Sequence, residues 1–136
     1  MRWKFPAGAV IDASPAVAHG IVYIGAEVGP VDATLYALRA ATGKKVWTFT
    51  DCCGFDSSAA VADGVVYVGG EDFSAYALDA ATGHQLWTSN LGSGVDISPA
   101  VSDGKVFFES ADSGALYAFG LPGGLPRAIP ALLRAP

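Results

Sequence analysis

A block of about 40 residues recurs along this chain, and no other feature restricts its fold so tightly. Trp47-Thr48 returns as Trp87-Thr88, 40 residues on, and Trp3 precedes Trp47 by 44. Asp12-Ala13-Ser14-Pro15-Ala16-Val17 returns as Asp96-Ile97-Ser98-Pro99-Ala100-Val101, with the looser copy Asp56-Ser57-Ser58-Ala59-Ala60-Val61 between them. Gly20, Gly64 and Gly104 share one register, and Tyr23, Tyr67 and Phe107 share another. Tyr36-Ala37-Leu38 recurs at Tyr76 and, as Tyr117-Ala118-Phe119, once more; Ala40-Ala41-Thr42-Gly43 recurs at Ala80. A unit this short cannot bury its own apolar face, so neighbouring units must stack. Four strand-like segments per unit at this period are the signature of a propeller blade.

Within each unit the turn residues mark the strands. His19-Gly20, Asp63-Gly64 and Asp103-Gly104 read as tight hairpin turns, because glycine supplies a positive φ without steric cost. Around them the pattern predicts an innermost strand at each Ser-Pro-Ala-Val type segment, a second at 21–25, 65–69 and 105–109, and a third at 35–38, 75–78 and 115–119. The Ala-Thr-Gly turn leads to a fourth at 45–49 and 85–88. The second strands alternate imperfectly, as strands covered on both faces do. No helix of useful length is expected; residues 37–45 hold alanines, but Thr42-Gly43 interrupts them.

The predicted fold is all-β, a propeller of four-stranded blades. Residues 1–119 form three repeats, at 12–50, 56–90 and 96–119, preceded by a lone outer strand at 2–6. Residues 120–136 form a tail with four of the eight prolines, which no interior strand accommodates. Composition agrees with one folded domain: 136 residues, 51% hydrophobic and 15% charged. The net charge of -5 argues against a nucleic-acid partner, since phosphate contacts supply most of that affinity. No apolar run approaches the ~18 residues that span a membrane. No basic segment leads into an apolar one, so no secretory signal peptide is expected.

The segment Ala77-Leu78-Asp79-Ala80-Ala81-Thr82-Gly83-His84-Gln85-Leu86-Trp87 resembles the tryptophan-docking motif of quinoprotein alcohol dehydrogenases and related repeat propellers. Residues 37–47 match again through Thr42, Gly43, Lys44 and Trp47. Arg39 replaces the motif's aspartate in that copy, and His84 replaces its lysine in the other. The third copy breaks down after Ala118, where Leu121-Pro122-Gly123 stands. The resemblance implies that Trp3, Trp47 and Trp87 are structural, each indole stacking between blades over a turn such as Thr42-Gly43 or Thr82-Gly83. The N–H would then find a backbone carbonyl, adding about 1 kcal/mol beyond buried area. The family holds both quinone-dependent oxidoreductases and non-enzymatic scaffold propellers of the outer-membrane assembly lipoprotein type. It is often exported, which implies a periplasmic or extracellular location.

The strand count has a consequence. Trp3-Lys4-Phe5 aligns with Trp47-Thr48-Phe49, so the chain opens on an outer strand and its third unit stops after three. Three blades cannot close a ring, and an open wedge would expose two apolar faces and an unpaired edge. Either the chain is a piece of a longer propeller or copies assemble, and a homo-oligomer is the favoured expectation. A dimer of six blades is favoured and a trimer of nine is the alternative, with the Trp3 strand of one copy completing another copy's third blade.

Asp12, Asp56 and Asp96 each begin an innermost strand, which places them at one mouth of the central channel. Together they could hold a hard cation such as Ca²⁺, or each could accept turn amides locally. Cys52-Cys53 resembles the vicinal cysteine pair that lies against the quinone in the dehydrogenases. However, Phe55-Asp56-Ser57 stands where the family has asparagine-arginine-glycine, so a pyrroloquinoline quinone site is not expected. His19 and His84 fall in turns without metal-ligand spacing, and no histidine accompanies Ser14, Ser58 or Ser98 as a nucleophile would need. The leading expectation is a non-enzymatic binding or scaffold module with a protein or small-molecule ligand at the ring mouth. The alternatives are a remnant quinone- and Ca²⁺-dependent oxidoreductase using Cys52 and Cys53, and a metal-dependent hydrolase using Asp12, Asp56 and Asp96.

Overall fold

In a computed structural model describing residues 1–27 and 32–121, every regular element is a β-strand. The first sheet runs β1 (Ala16–Ala18), β2 (Ile21–Glu27), β3 (Asp32–Arg39) and β4 (Lys45–Cys52), each antiparallel to the next. The second repeats it with β5 (Ala60–Ala62), β6 (Val65–Gly69), β7 (Ser74–Asp79) and β8 (Gln85–Asn90). The third has only β9 (Ala100–Ser102), β10 (Lys105–Ser110) and β11 (Ala115–Gly120). The all-β, four-stranded blade is thus as the repeat predicts. The outer strands run a few residues further than the pattern marks, to Cys52 and Asn90.

Local chemistry explains the strand ends. His19, Asp63 and Asp103 have φ near +50°, each followed by a positive-φ glycine, which is the two-residue turn that matches strand twist. Asp79 closes the next turn with one oxygen, Oδ1, accepting from the Ala81 and Thr82 amides and the Thr82 hydroxyl. Arg39 cannot do this in the first repeat, where the backbone bonds of Thr42 and Gly43 to the Arg39 carbonyl suffice. A register shift precedes both turns, at Ala37/Leu38 and Ala77/Leu78.

The core lies between sheets. Tyr23, Leu35, Ala37 and Trp47 of the first blade pack with Val66, Val68, Tyr76 and Leu78 of the second. Tyr67, Ala75 and Ala77 then pack with Val106 and Phe108 of the third. The second blade is covered on both sides, so β6 is buried at every residue and its Val-Val-Tyr-Val run shows no alternation. Innermost strands are joined by a serine ladder: the Ser14 amide donates to Ser58 Oγ at 2.9 Å, and the Ser58 amide to Ser98 Oγ at 3.1 Å.

Trp3-Lys4-Phe5 pairs with no strand among the described residues. Two expectations need correction. The rear face of the first blade is not bare, since Phe5 and Ala13 pack over Val22, Ile24, Tyr36 and Leu38. Cys52 is the last residue of β4, opposite Asp32, beyond the 45–49 that the pattern marks as strand. The tail from 122 to 136 lies outside the described residues.

Candidate functional site

Antiparallel order sends all connections from outer to innermost strands, and those from second to third strands, to one end of the wedge. Asp12, Asp56 and Asp96 stand there, as expected of residues that precede β1, β5 and β9. Glu27 at the end of β2 and Glu71 just after β6 join them. No lysine or arginine occurs in these loops; Arg39, Lys44, Lys45 and Lys105 sit at the opposite end, beside Asp63, Asp79 and Asp103.

The three aspartates do not converge on one point. Carboxylate oxygens of Asp12, Glu27 and Asp56 lie within 4.8 Å of one another, and Asp96 is outside that group. Asp56 is the hub. Its charge, more than burial, raises the Glu27 pKa, with a shared hydrogen bond and Asp12 adding to it. Glu71 is pushed up to about 7, first by burial and then by its hydrogen bond to Asp56 and the charges of Asp56, Asp96 and Glu27. Asp96 is raised by burial and by Asp56 and Asp112. Such a cluster holds protons or cations at neutral pH, because neighbouring carboxylates cannot all ionise freely.

A second group lies at the same end. The Tyr76 hydroxyl bonds both Asp51 and Asp72, the latter at 2.6 Å, and burial followed by these two acceptors raises its pKa. Asp51, Cys52 and Asp72 bring ligand atoms within 4.8 Å of each other. Cys52 and Cys53 are exposed free thiols, and Cys53 has φ +82°. Hydrogen bonding to Cys53, then burial, then the charges of Cys53, Asp51 and Asp72 push the Cys52 thiol up to about 11. The pair therefore lacks the electropositive setting that activates a thiol.

The tryptophans form the opposite end of each interface. Trp47 Nε1 donates to the Ala80 carbonyl at 3.0 Å, and Trp3 Nε1 to the Ala40 carbonyl at 2.9 Å. Gly83 lies beneath the Trp47 ring and Gly43 beneath Trp3, each with a positive φ. Thr42 and Thr82 accept from the amides two residues on. Trp87 instead meets Phe119 edge-on, with centroids 4.6 Å apart. His19 and His84 are exposed turn residues, and the serines serve the inter-blade ladder.

Sequence reasoning missed Glu27, Glu71 and the Asp51–Tyr76–Asp72 group. The repeat register could have found the first two, since each stands four residues after the tyrosines Tyr23 and Tyr67.

The comparisons with known proteins agree with this architecture. A family model described as outer membrane protein assembly factor BamB matches residues 31–121. The crystal structure of BamB from Moraxella catarrhalis superposes with a TM-score of 0.77 at 24% identity, covering 93% of this chain and 38% of that one. Quinohemoprotein alcohol dehydrogenase from Comamonas testosteroni gives 0.64 at 30% identity, covering 82% and 19%. A europium-containing methanol dehydrogenase gives 0.69 at 21%, covering 90% and 25%. The chain thus spans well under half the length of each. No curated protein matches it. Among the described residues no helix is long and apolar enough to cross a membrane.

Proposed function

The chain belongs to the PQQ-like repeat propeller family described by outer membrane protein assembly factor BamB, and from that premise we propose that it is a non-enzymatic binding module whose acidic end docks a basic protein segment. The observation that carries this is the gathering of Asp12, Glu27, Asp56, Glu71 and Asp96 at one end with no lysine or arginine in the same loops. A one-signed surface of this kind attracts and orients cationic partners over about a Debye length, ~10 Å in moderate salt. The family's description names an outer-membrane assembly factor, which supports an exported location for this chain.

A quinone cofactor does not fit the same end. Pyrroloquinoline quinone is a polycarboxylate, and Cys52 is flanked by Asp51 and Asp72. The anion would meet carboxylates with no basic side chain in these loops to receive it. No oxidoreductase step is assigned to Cys52 or Cys53.

A lysine-rich peptide and a glutamate-rich peptide of equal length, each fluorescently labelled, test the reading by anisotropy. The basic peptide should bind, weaken with salt, and lose affinity when Asp56 and Asp96 become asparagine. Equal binding of both peptides, or binding of neither, refutes it. A second reading rests on the 4.8 Å grouping of Asp12, Glu27 and Asp56: a site for a hard cation such as Ca²⁺. Titration calorimetry with Ca²⁺ alone should then give heat that Asp56→Asn removes, and no heat disposes of it.

A further inference from the structure

The third sheet ends on an open strand edge, and the chain contains a segment shaped for it. β11 pairs with β10 on one side and, among the described residues, with nothing on the other. The exposure follows. Leu35 and Ala75 are 1% and 0% exposed, whereas Leu116 at the same repeat position is 70% exposed. Ala37 and Ala77 are buried, whereas Ala118 is exposed. An apolar edge of this kind is a template for strand addition.

Residues 3–5 already make the inter-blade contacts of an outer strand without belonging to a sheet. Trp3 bonds the Ala40 carbonyl as Trp47 bonds that of Ala80. Gly43 lies under Trp3 as Gly83 lies under Trp47. Phe5 meets Tyr36 edge-on at 5.0 Å and 64°, and Phe49 meets Tyr76 at 5.4 Å and 61°. The segment is held in outer-strand position against the first blade with no inner strands beside it among the described residues. Among the same residues the third sheet has three inner strands and no outer one.

We propose that residues 2–6 of a second copy of this chain add to β11 as its fourth strand, joining copies head to tail. The pairs Ala37↔Trp47, Tyr36↔Thr48 and Leu35↔Phe49 fix the register: Trp3 lies opposite Ala118, Lys4 opposite Tyr117 and Phe5 opposite Leu116. The donor needs no rearrangement, because Trp3 stays docked on its own first blade, as Trp47 does on the second. The serine ladder continues across the junction, with the Ser98 amide facing Ser14 Oγ of the next copy. One residue differs from the internal junctions. Glu109 stands where Gly25 and Gly69 leave room for the Phe55 and Val95 carbonyls of the next loop. The second copy's loop 7–13 therefore stays further out, and the strand carries the contact. Such a contact is heterologous; it closes into a ring of two if the rotation permits and otherwise continues.

Light scattering on a sizing column tests this with the full chain, which should elute at a multiple of 13.9 kDa. Leu116→Glu removes the acceptor at an exposed position that a folded chain tolerates, and Phe5→Asp removes the donor. Each variant alone should be monomeric. Mixed, they should form a 1:1 complex, because one retains a donor and the other an acceptor. A monomeric parent chain overturns the proposal, as does an assembly that survives Leu116→Glu, or monomeric variants that ignore each other. The peptide titration reads the acidic end separately, so either reading can fail alone.

Discussion

Gly83→Ala isolates the energy of the tryptophan contact, because the chain supplies its own control. Gly83 has φ +74°, and a Cβ there would lie 2.6 Å from Cε3 and 2.7 Å from Cδ2 of Trp47. Gly64 has φ +78° and open space within 4 Å. Both substitutions force an L-residue into the left-handed region, at about 1 kcal/mol. Only Gly83→Ala also lifts the indole. That displacement stretches the 3.0 Å bond from Nε1 to the Ala80 carbonyl, worth about 1 kcal/mol. It also loosens the ring's contact with Tyr23, for about another 1 kcal/mol. Gly83→Ala should therefore cost about 3 kcal/mol and Gly64→Ala about 1. Urea unfolding followed by circular dichroism measures both, with the slope m checked for constancy. Equal losses would mean that Trp47 yields freely, and the indole would not be what holds the first blade on the second.

Three further outcomes follow from the same geometry. The Tyr23 hydroxyl donates to the Ala80 carbonyl at 3.2 Å, whereas the Tyr67 hydroxyl is buried without a partner among the described residues. Tyr23→Phe should thus destabilise by about 1 kcal/mol while Tyr67→Phe is neutral or stabilising; urea midpoints that fall together refute the difference. Glu71 has a folded pKa raised to about 7, so the native state binds the extra proton and its contribution is complete only below the ordinary carboxylate range. The urea midpoint should fall as pH rises through about 7, Glu71→Gln should flatten that fall, and an unchanged slope in the variant rules the cause out. Cys52, with its thiol near 11, should alkylate with iodoacetamide far more slowly at neutral pH than free cysteine, read by peptide mapping; equal rates would contradict the acidic setting assigned to it.

The blade strands were legible because their punctuation is local. Asp63-Gly64 and Asp103-Gly104 dictate turns through backbone preference alone, and the repeat multiplies each signal. The serine ladder and the acidic hub were less legible, because both join residues of different repeats. Asp56 meets Glu27 only because β2 ends beside the loop that leads to β5, a fact of blade-to-blade rotation that no single repeat encodes. Tyr76 bridges Asp51 and Asp72 for the same reason. Cys52 falls outside the strand that the pattern marks, which ends at Phe49, while pairing with β3 carries β4 three residues further.

The Trp3 segment was half legible, and the reason is instructive. Alignment with Trp47-Thr48-Phe49 marks it as an outer strand, and the structure shows its docking contacts without a ladder among the described residues. Trp3 and Phe5 dock because Ala40, Gly43 and Tyr36 offer the contacts, and among the described residues they meet no strand to pair with. The same logic orders the third repeat. Gly25 and Gly69 are required by the Phe55 and Val95 carbonyls that cross them, whereas Glu109 is tolerated where no described loop crosses. Tyr23 has an acceptor in the Ala80 turn, whereas Tyr67 has none among the described residues. Each departure falls on the side of the third sheet that, among the described residues, lacks the neighbour its counterparts have. A repeat retains its pattern where a packed neighbour enforces it, and Glu109 and the exposed Leu116 stand where no described neighbour packs.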